Sequence, residues 1–248
     1  MGVIYILWLR QLKRYVRSRA RMIGSLGQPI LFLVALGFGF GPIFQKAGGG
    51  DYLQFLAPGV IAMGILFTSV FSGIEIIWDR QFGFLKETLV APVSRFKIMI
   101  GRTLGGATVA VLQGVVVFLL ALVAGFRPQS YALLPLALVY MLLIGILFTA
   151  LGTAIASLLE DMQGFQLIMN FLVMPTFFLS GALFPLEGLP KAFQLIADID
   201  PLAYGVDGLR ASLGGTSHFG LVHDAAVLGA ITAAFLVIGS ALFSRIEI

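Results

Sequence analysis

Ser217, His218, His223 and Asp224 lie within SHFGLVHD, a stretch that gathers a hydroxyl, two imidazoles and a carboxylate, the parts of a nucleophile, base and orienter set. Adjacency in sequence does not align side chains for such chemistry, and the stretch borders a long apolar segment, so it reads as an interfacial loop. A metal site there lacks identifiable further ligands. The chain has no Cys, which removes thiolate ligands, thiol nucleophiles and disulfides. No Lys follows a Gly, so the GK[ST] core of a phosphate-cradling P-loop is absent and the chain alone is not a Walker-type ATPase.

The elements that would position any site are membrane elements. Of the 248 residues, 59% are hydrophobic and only 11% charged, with a mean hydropathy of +1.00, more apolar surface than a soluble domain of this length can bury. Apolar runs of about 20 residues, the length that crosses a bilayer, recur along the whole chain and leave room for about six spans and no separate soluble domain. The net charge of +4 does not indicate nucleic acid, because most Lys and Arg sit in two blocks flanking apolar segments, where basic residues set topology.

In order, residues 2–21 combine Ile4, Trp8, Leu12 and Tyr15 at helical spacing with Arg10, Lys13, Arg14 and Arg17, a pattern for a helix in the interface with its cationic face toward anionic headgroups. Spans are expected over residues 22–44, 55–77, 98–126, 131–159, 164–184 and 221–243. Gly37 and Gly41 give the first a GxxxG spacing. Arg102, one turn inside the third, is expected to snorkel to headgroups, and Glu75 in the second to pair locally with Arg80 or Arg102. Pro175 is a candidate kink in the fifth. Residues 185–220 are broken by Pro185, Pro190, Pro201 and several glycines into pieces too short to cross. Asp200 and Pro201 read there as an N-cap and first position, and Gly214 with Gly215 as a stop, giving a helix over 201–213. A preceding helix is suggested by Leu189, Phe193 and Ile196, and both pieces suit a re-entrant segment.

Residues 78–95, WDRQFGFLKETLVAPVSR, form the longest charged interruption between two apolar segments. As a helix over 79–90, they put Phe82, Leu85 and Leu89 on one face and Arg80, Lys86 and Glu87 on the wetter sides, and Pro92 ends the helix. Such a helix lies on the membrane surface and offers its apolar side to lipid or to a partner protein. Placing both termini in the cytoplasm leaves only Lys46, Arg127, Lys191 and Arg210 outside among the basic residues, and puts residues 78–95 inside and 185–220 outside.

The order of an N-terminal interfacial helix, six spans, the internal run DRQFGFLKETLVAPVSRFKIMIGRTLGG and the external run FLSGALFPLEGLPKAFQLIADIDPLAYGVDGLRASLGG resembles an ABC-2 type transporter permease over nearly the whole chain. The likeness is strongest to the daunorubicin-resistance branch of drug exporters, through Glu87, the Pro-Val-Ser-Arg run 92–95, and Gly101 with Arg102. The resemblance implies an all-α integral membrane fold over residues 1–248, with an interfacial helix at 1–21, a cytoplasmic coupling segment at 78–95 and external re-entrant helices at 185–220. It implies a homodimer with two separate ATPase subunits, which carry the ATP and Mg, in the bacterial cytoplasmic membrane. The coupling helix would seat Phe82, Leu85 and Leu89 in a groove of the ATPase, with Arg80, Lys86 and Glu87 at its rim. A substrate path would be lined by Gln113, Gln166, Asn170, Thr176 and Ser180, side chains that serve equally for hydrogen bonds between helices. The cargo expected is drug-like or lipid-like, with polysaccharide or glycolipid export as the alternative in the family. Alternatives of other classes are an ATP-independent channel or anchor and a membrane-embedded hydrolase.

Overall fold

Asp51, Asp161 and Asp200 each start a helix by accepting a backbone N–H from two or three residues on, and between such caps the apolar runs close into long helices. The computed structural model describes residues 2–46, 50–84, 92–186 and 188–244, and its described residues are helical throughout apart from short connections. The helices are α1 (Gly2–Arg17), α2 (Arg19–Leu31), α3 (Gly37–Lys46), α4 (Tyr52–Phe71), α5 (Ile74–Gln81), α6 (Arg95–Ala124), α7 (Leu134–Leu158), α8 (Met162–Leu179), α9 (Lys191–Ile199), α10 (Pro201–Gly214) and α11 (Leu221–Ser244). Among the described residues, six stretches are long and apolar enough to cross a membrane: Met22–Lys46, Tyr52–Gln81, Arg95–Ala124, Tyr131–Leu158, Met162–Leu179 and Leu221–Ser244. The protein is thus an all-helical integral membrane protein.

The first span is α2 and α3 joined by a π-helical turn, Phe32–Leu36. Pro29, which has no N–H to give, lies just before that turn and loosens the ladder there. Of the GxxxG pair, Gly37 faces Leu53 closely, whereas a Cβ at Gly41 would meet nothing. The second span is α4 and α5, interrupted at Ser72 and Gly73, and it is the centre of the bundle, flanked by α6, α7 and α10. Gly73 and Gly152 of α7 account for the close approach. A Cβ on Gly73 would run into the Gly152 carbonyl, and one on Gly152 into the Val70 carbonyl. The third span is the 30-residue α6, about 45 Å at 1.5 Å per residue, longer than the ~30 Å hydrocarbon layer.

Two expectations are corrected by this geometry. The helix expected over residues 2–21 stops at Arg17, because Ser18 leaves helical geometry, and α2 starts afresh at Arg19. The single helix expected over residues 79–90 does not run through: α5 continues the second span to Gln81, Phe82 closes it, and Gly83 turns the chain with φ +81°. Leu85, Lys86, Glu87 and Leu89 lie outside the described residues. In residues 185–220 the expected cap geometry is present, with Asp200 accepting from the Leu202 N–H at 2.9 Å and Gly215 at φ +72°.

Candidate functional site

Glu75 and Asp79 stand one turn apart on α5, so both carboxylates project from one side of the second span. Both are buried, which requires partners. Asp79 accepts from Arg102 Nη2 of α6 and from Arg10 Nη2 of α1 at 2.9 Å, and Glu75 accepts from Arg14 Nη1 of α1 at 3.3 Å. Arg14 also lies over the Trp78 ring, 5.7 Å from its centroid. Three guanidinium groups from two helices thereby lock onto one short helix. This corrects one sequence expectation and sharpens another. Arg102 is buried against Asp79 rather than snorkelling, and Glu75, whose charge also acts on Arg102, takes a hydrogen bond from Arg14. Arg10 and Arg14 likewise turn to α5 rather than to headgroups, because burying Glu75 and Asp79 without cations would leave two uncompensated charges.

α1 reaches this position by lying along α6. Gly101 and Gly105 of α6 admit the backbone and side chains of Ile4, Leu7, Trp8 and Gln11, the Trp8 indole donates to Thr108 Oγ1 at 3.0 Å, and the Tyr15 hydroxyl donates to Gln113 Oε1 at 2.6 Å. Arg80, next on α5, donates to the carbonyls of Leu159 (2.9 Å) and Ser157 (3.3 Å), satisfying orphan acceptors at the C-terminus of α7. Immediately beyond these anchors the chain turns outward. Phe82 is 70% exposed and Phe84 52%. The exposed turn therefore stands on a stem tied to α1, α6 and α7.

The expected path residues are not brought together. Gln113 is buried in the α1–α6 contact, and Ser180 is buried with its hydroxyl on the Phe177 carbonyl at 2.9 Å. Thr176 is half-buried. Gln166 and Asn170 are exposed on the face of α8 that also bears the exposed Leu167 and Phe171.

At the opposite end of the bundle, Asp207 of α10 is the residue that sequence reasoning missed. Its buried carboxylate accepts the Ser217 hydroxyl at 3.0 Å and the backbone N–H groups of His218 and Phe219 at 2.8 Å, fixing the SHFGLVHD loop. Ser217 is thus spent on structure. His223 stacks near Tyr204 and Phe219 with centroids 5.7 and 6.5 Å away. Asp200, buried at the start of α10, has its carboxyl pushed up to about 7 by burial, against the opposing effect of the Leu202 N–H. Asp207 left only a weak sequence signal: a carboxylate inside an apolar run demands a partner but does not name it.

The family model described as ABC-2 type transporter matches residues 2–213, a stretch that includes α1, the charged cluster, the Phe82 turn and α10. Nodulation protein J of Rhizobium leguminosarum bv. viciae is 31% identical over 78% of this chain and 75% of its own length. Nodulation protein J of Rhizobium meliloti (strain 1021) is 30% identical over 86% of this chain and 80% of its own. The protein ycf38 of Cyanophora paradoxa, described as a transport permease, is 29% identical over 84% of this chain and 72% of its own. The chain belongs to the ABC-2 type transporter family and is a membrane-embedded transport permease.

Proposed function

We propose that this chain is the permease half of an ATP-driven exporter, acting as a homodimer with a separate ATP-binding subunit docked at the Phe82 turn. One observation carries the reading: an exposed aromatic turn mounted on a buried, charge-locked stem that continues the central span. A push on such a turn moves α5, and through the arginines α1 and α6 move with it. Both termini and this turn are cytoplasmic, by the bias of Lys and Arg toward that end. ATP and Mg bind the partner, and the second copy covers the open face of α8. The cargo is a hydrophobic or amphipathic, drug-like or lipid-like molecule taken from the cytoplasm or inner leaflet, since the spans carry few charges outside the arginine cluster.

The test is ATP hydrolysis by a candidate P-loop partner reconstituted in lipid with this chain. Wild type is expected to change the hydrolysis rate severalfold, and Phe82→Asp, Leu85→Asp and Glu87→Ala to reduce that effect. A Phe82→Asp chain that binds and regulates the ATPase as wild type does would remove the docking assignment.

A further inference from the structure

Asp224 sits in the first turn of α11, fully buried, and neither of its carboxyl oxygens has a donor among the described residues. A buried acid so placed requires a cation or a proton. Arg210, the basic residue of α10, is turned away onto the Phe55 ring and the Gly181 carbonyl. The charge that does act on Asp224 is another carboxylate, Asp207 of α10, which stands within hydrogen-bonding reach. The two acids are brought together by the packing of α7 between them and the lipid side: the Tyr140 ring lies where a Cβ on Gly208 would be, and its hydroxyl donates to the Leu221 carbonyl at 2.5 Å, fixing the start of α11.

The two acids are not equivalent. Asp207 is an acceptor on both oxygens, taking the Ser217 hydroxyl and the Phe219 N–H on Oδ2 and the His218 N–H on Oδ1. A hydrogen between the two carboxyls therefore has to come from Asp224. The other titratable groups at this end are committed elsewhere. Tyr140 is on Leu221, Tyr204 of α10 donates to the Asp198 carbonyl at 2.6 Å, and the His223 and His218 rings lie against Tyr204 and Phe219. A metal ion would need further ligands. Ser217 Oγ is already spent, giving to Asp207 and accepting from the Gly220 N–H at 2.8 Å, and among the described residues no three His, Asp or Glu side chains converge. The ligand that fits is a proton.

We propose that Asp224 and Asp207 form a proton-binding site, in which Asp224 holds one proton and donates it to Asp207, tying the start of α11 to α10 and to the loop at residues 217–219. When the proton leaves to base in the medium, two carboxylates face each other and the loop loosens from α10. The pair lies beneath the exposed Ser217, His218 and His223, so the proton exchanges with the medium on that side. That this side is the outside rests on the topology proposed above, but proton binding itself does not.

The experiment uses the full chain in phosphatidylcholine nanodiscs, without any ATPase, in an Asp200→Asn background that removes the other buried acid of this region. Infrared spectra are expected to show a protonated-carboxyl carbonyl band that disappears as the pH is raised. Amide exchange in a peptide covering residues 216–221, corrected for intrinsic rates, is expected to accelerate at least about tenfold with the same midpoint, one unit of proton affinity expressed in the loop. Asp224→Asn, whose amide still donates to Asp207 but cannot ionise, is expected to remove the band and to make loop exchange independent of pH. His218→Gln with His223→Gln, at exposed positions, is expected to keep both changes. The band is read before any Asp224 variant is made, so the test stands even if Asp224→Asn misfolds. Absence of a titrating band, a loop that does not follow it, a pH dependence that survives in folded Asp224→Asn, or one that vanishes with the two imidazoles overturns the proposal.

Discussion

The second and fifth spans are both apolar helices, yet 72% of the second span's apolar stretch is buried and only 22% of the fifth's. The fifth is also the least apolar of the six. A bilayer ought to select the reverse, since lipid cannot satisfy an amide and a buried polar group without a hydrogen bond costs roughly 2–7 kcal/mol. Gln166 and Asn170 nonetheless face outward from α8. Hydropathy thus decides that a helix belongs in the membrane, and its polar residues decide which side must be covered by something other than lipid. The second span finds its cover within the chain, whereas the chain leaves Gln166 and Asn170 of the fifth uncovered.

The hardest way to break this contrast is to deny the second span its close packing. Gly152→Leu drives a side chain into the Val70 backbone, where neither helix can yield cheaply. It is expected to abolish the folded species, seen as loss of the monodisperse peak in size-exclusion chromatography. Gly39→Ala on the peripheral first span, where a Cβ meets nothing, is expected to leave that peak intact.

Next in size is the buried ion pair. Arg102→Met leaves Asp79 with Arg10, 40% exposed, as its closest cation, and is expected to destabilise by about 3 kcal/mol, at the low end for breaking a buried pair. Asp79→Leu with Arg102→Met removes both charges, and the double variant is expected to recover much of that loss. A double-mutant cycle on reversible unfolding in detergent checks this, and strictly additive losses would show that the two residues are not coupled.

Much of this architecture was legible in the sequence. The six spans lie within a few residues of the apolar runs, and the α10 boundaries follow from Asp200, Pro201 and Gly215, because caps and hydropathy are local signals. The charged cluster was not legible. Arg14 and Glu75 are 61 residues apart, and Arg10 and Asp79 69, so their pairing depends on α1 lying along α6. That packing is written in Gly101 and Gly105, which as isolated glycines look like tolerated defects. The break at Phe82 was missed for the opposite reason: the apolar period of Phe82, Leu85 and Leu89 is helical, and Gly83 overrides it locally with a positive φ.

The α8 face separates stability from function. Asn170→Leu makes an exposed surface more apolar, so the isolated chain is expected to change by less than about 0.5 kcal/mol. If that face meets a second copy or a path, transport in proteoliposomes is expected to fall about tenfold while folding is unaltered. Full transport with Asn170→Leu and Gln166→Leu together would mean that lipid covers the fifth span after all.

The most local effect concerns how the second span keeps its cover at the end remote from α1. α10 packs there, with the Arg210 guanidinium 4.0 Å over the Phe55 ring and donating to the Gly181 carbonyl. Its N-cap is Asp200, whose carboxyl is raised from 3.8 to about 7 in the fold by burial. Between those values the folded state binds more protons than the unfolded one, so stability falls as pH rises, by at most about 1.4 kcal/mol per unit. The contribution is fully present below about pH 4 and lost above about pH 7. Amide exchange in α10 is accordingly expected to be faster at pH 8 than at pH 5.5 once corrected for intrinsic rates. Asp200→Asn keeps the cap acceptor for the Leu202 N–H but cannot ionise, and it is expected to abolish that pH dependence. If the profile in α10 persists in Asp200→Asn, another buried carboxylate at that end, Asp224 of the adjacent α11, governs it instead, and the contrast between buried and open helices extends to the whole remote end.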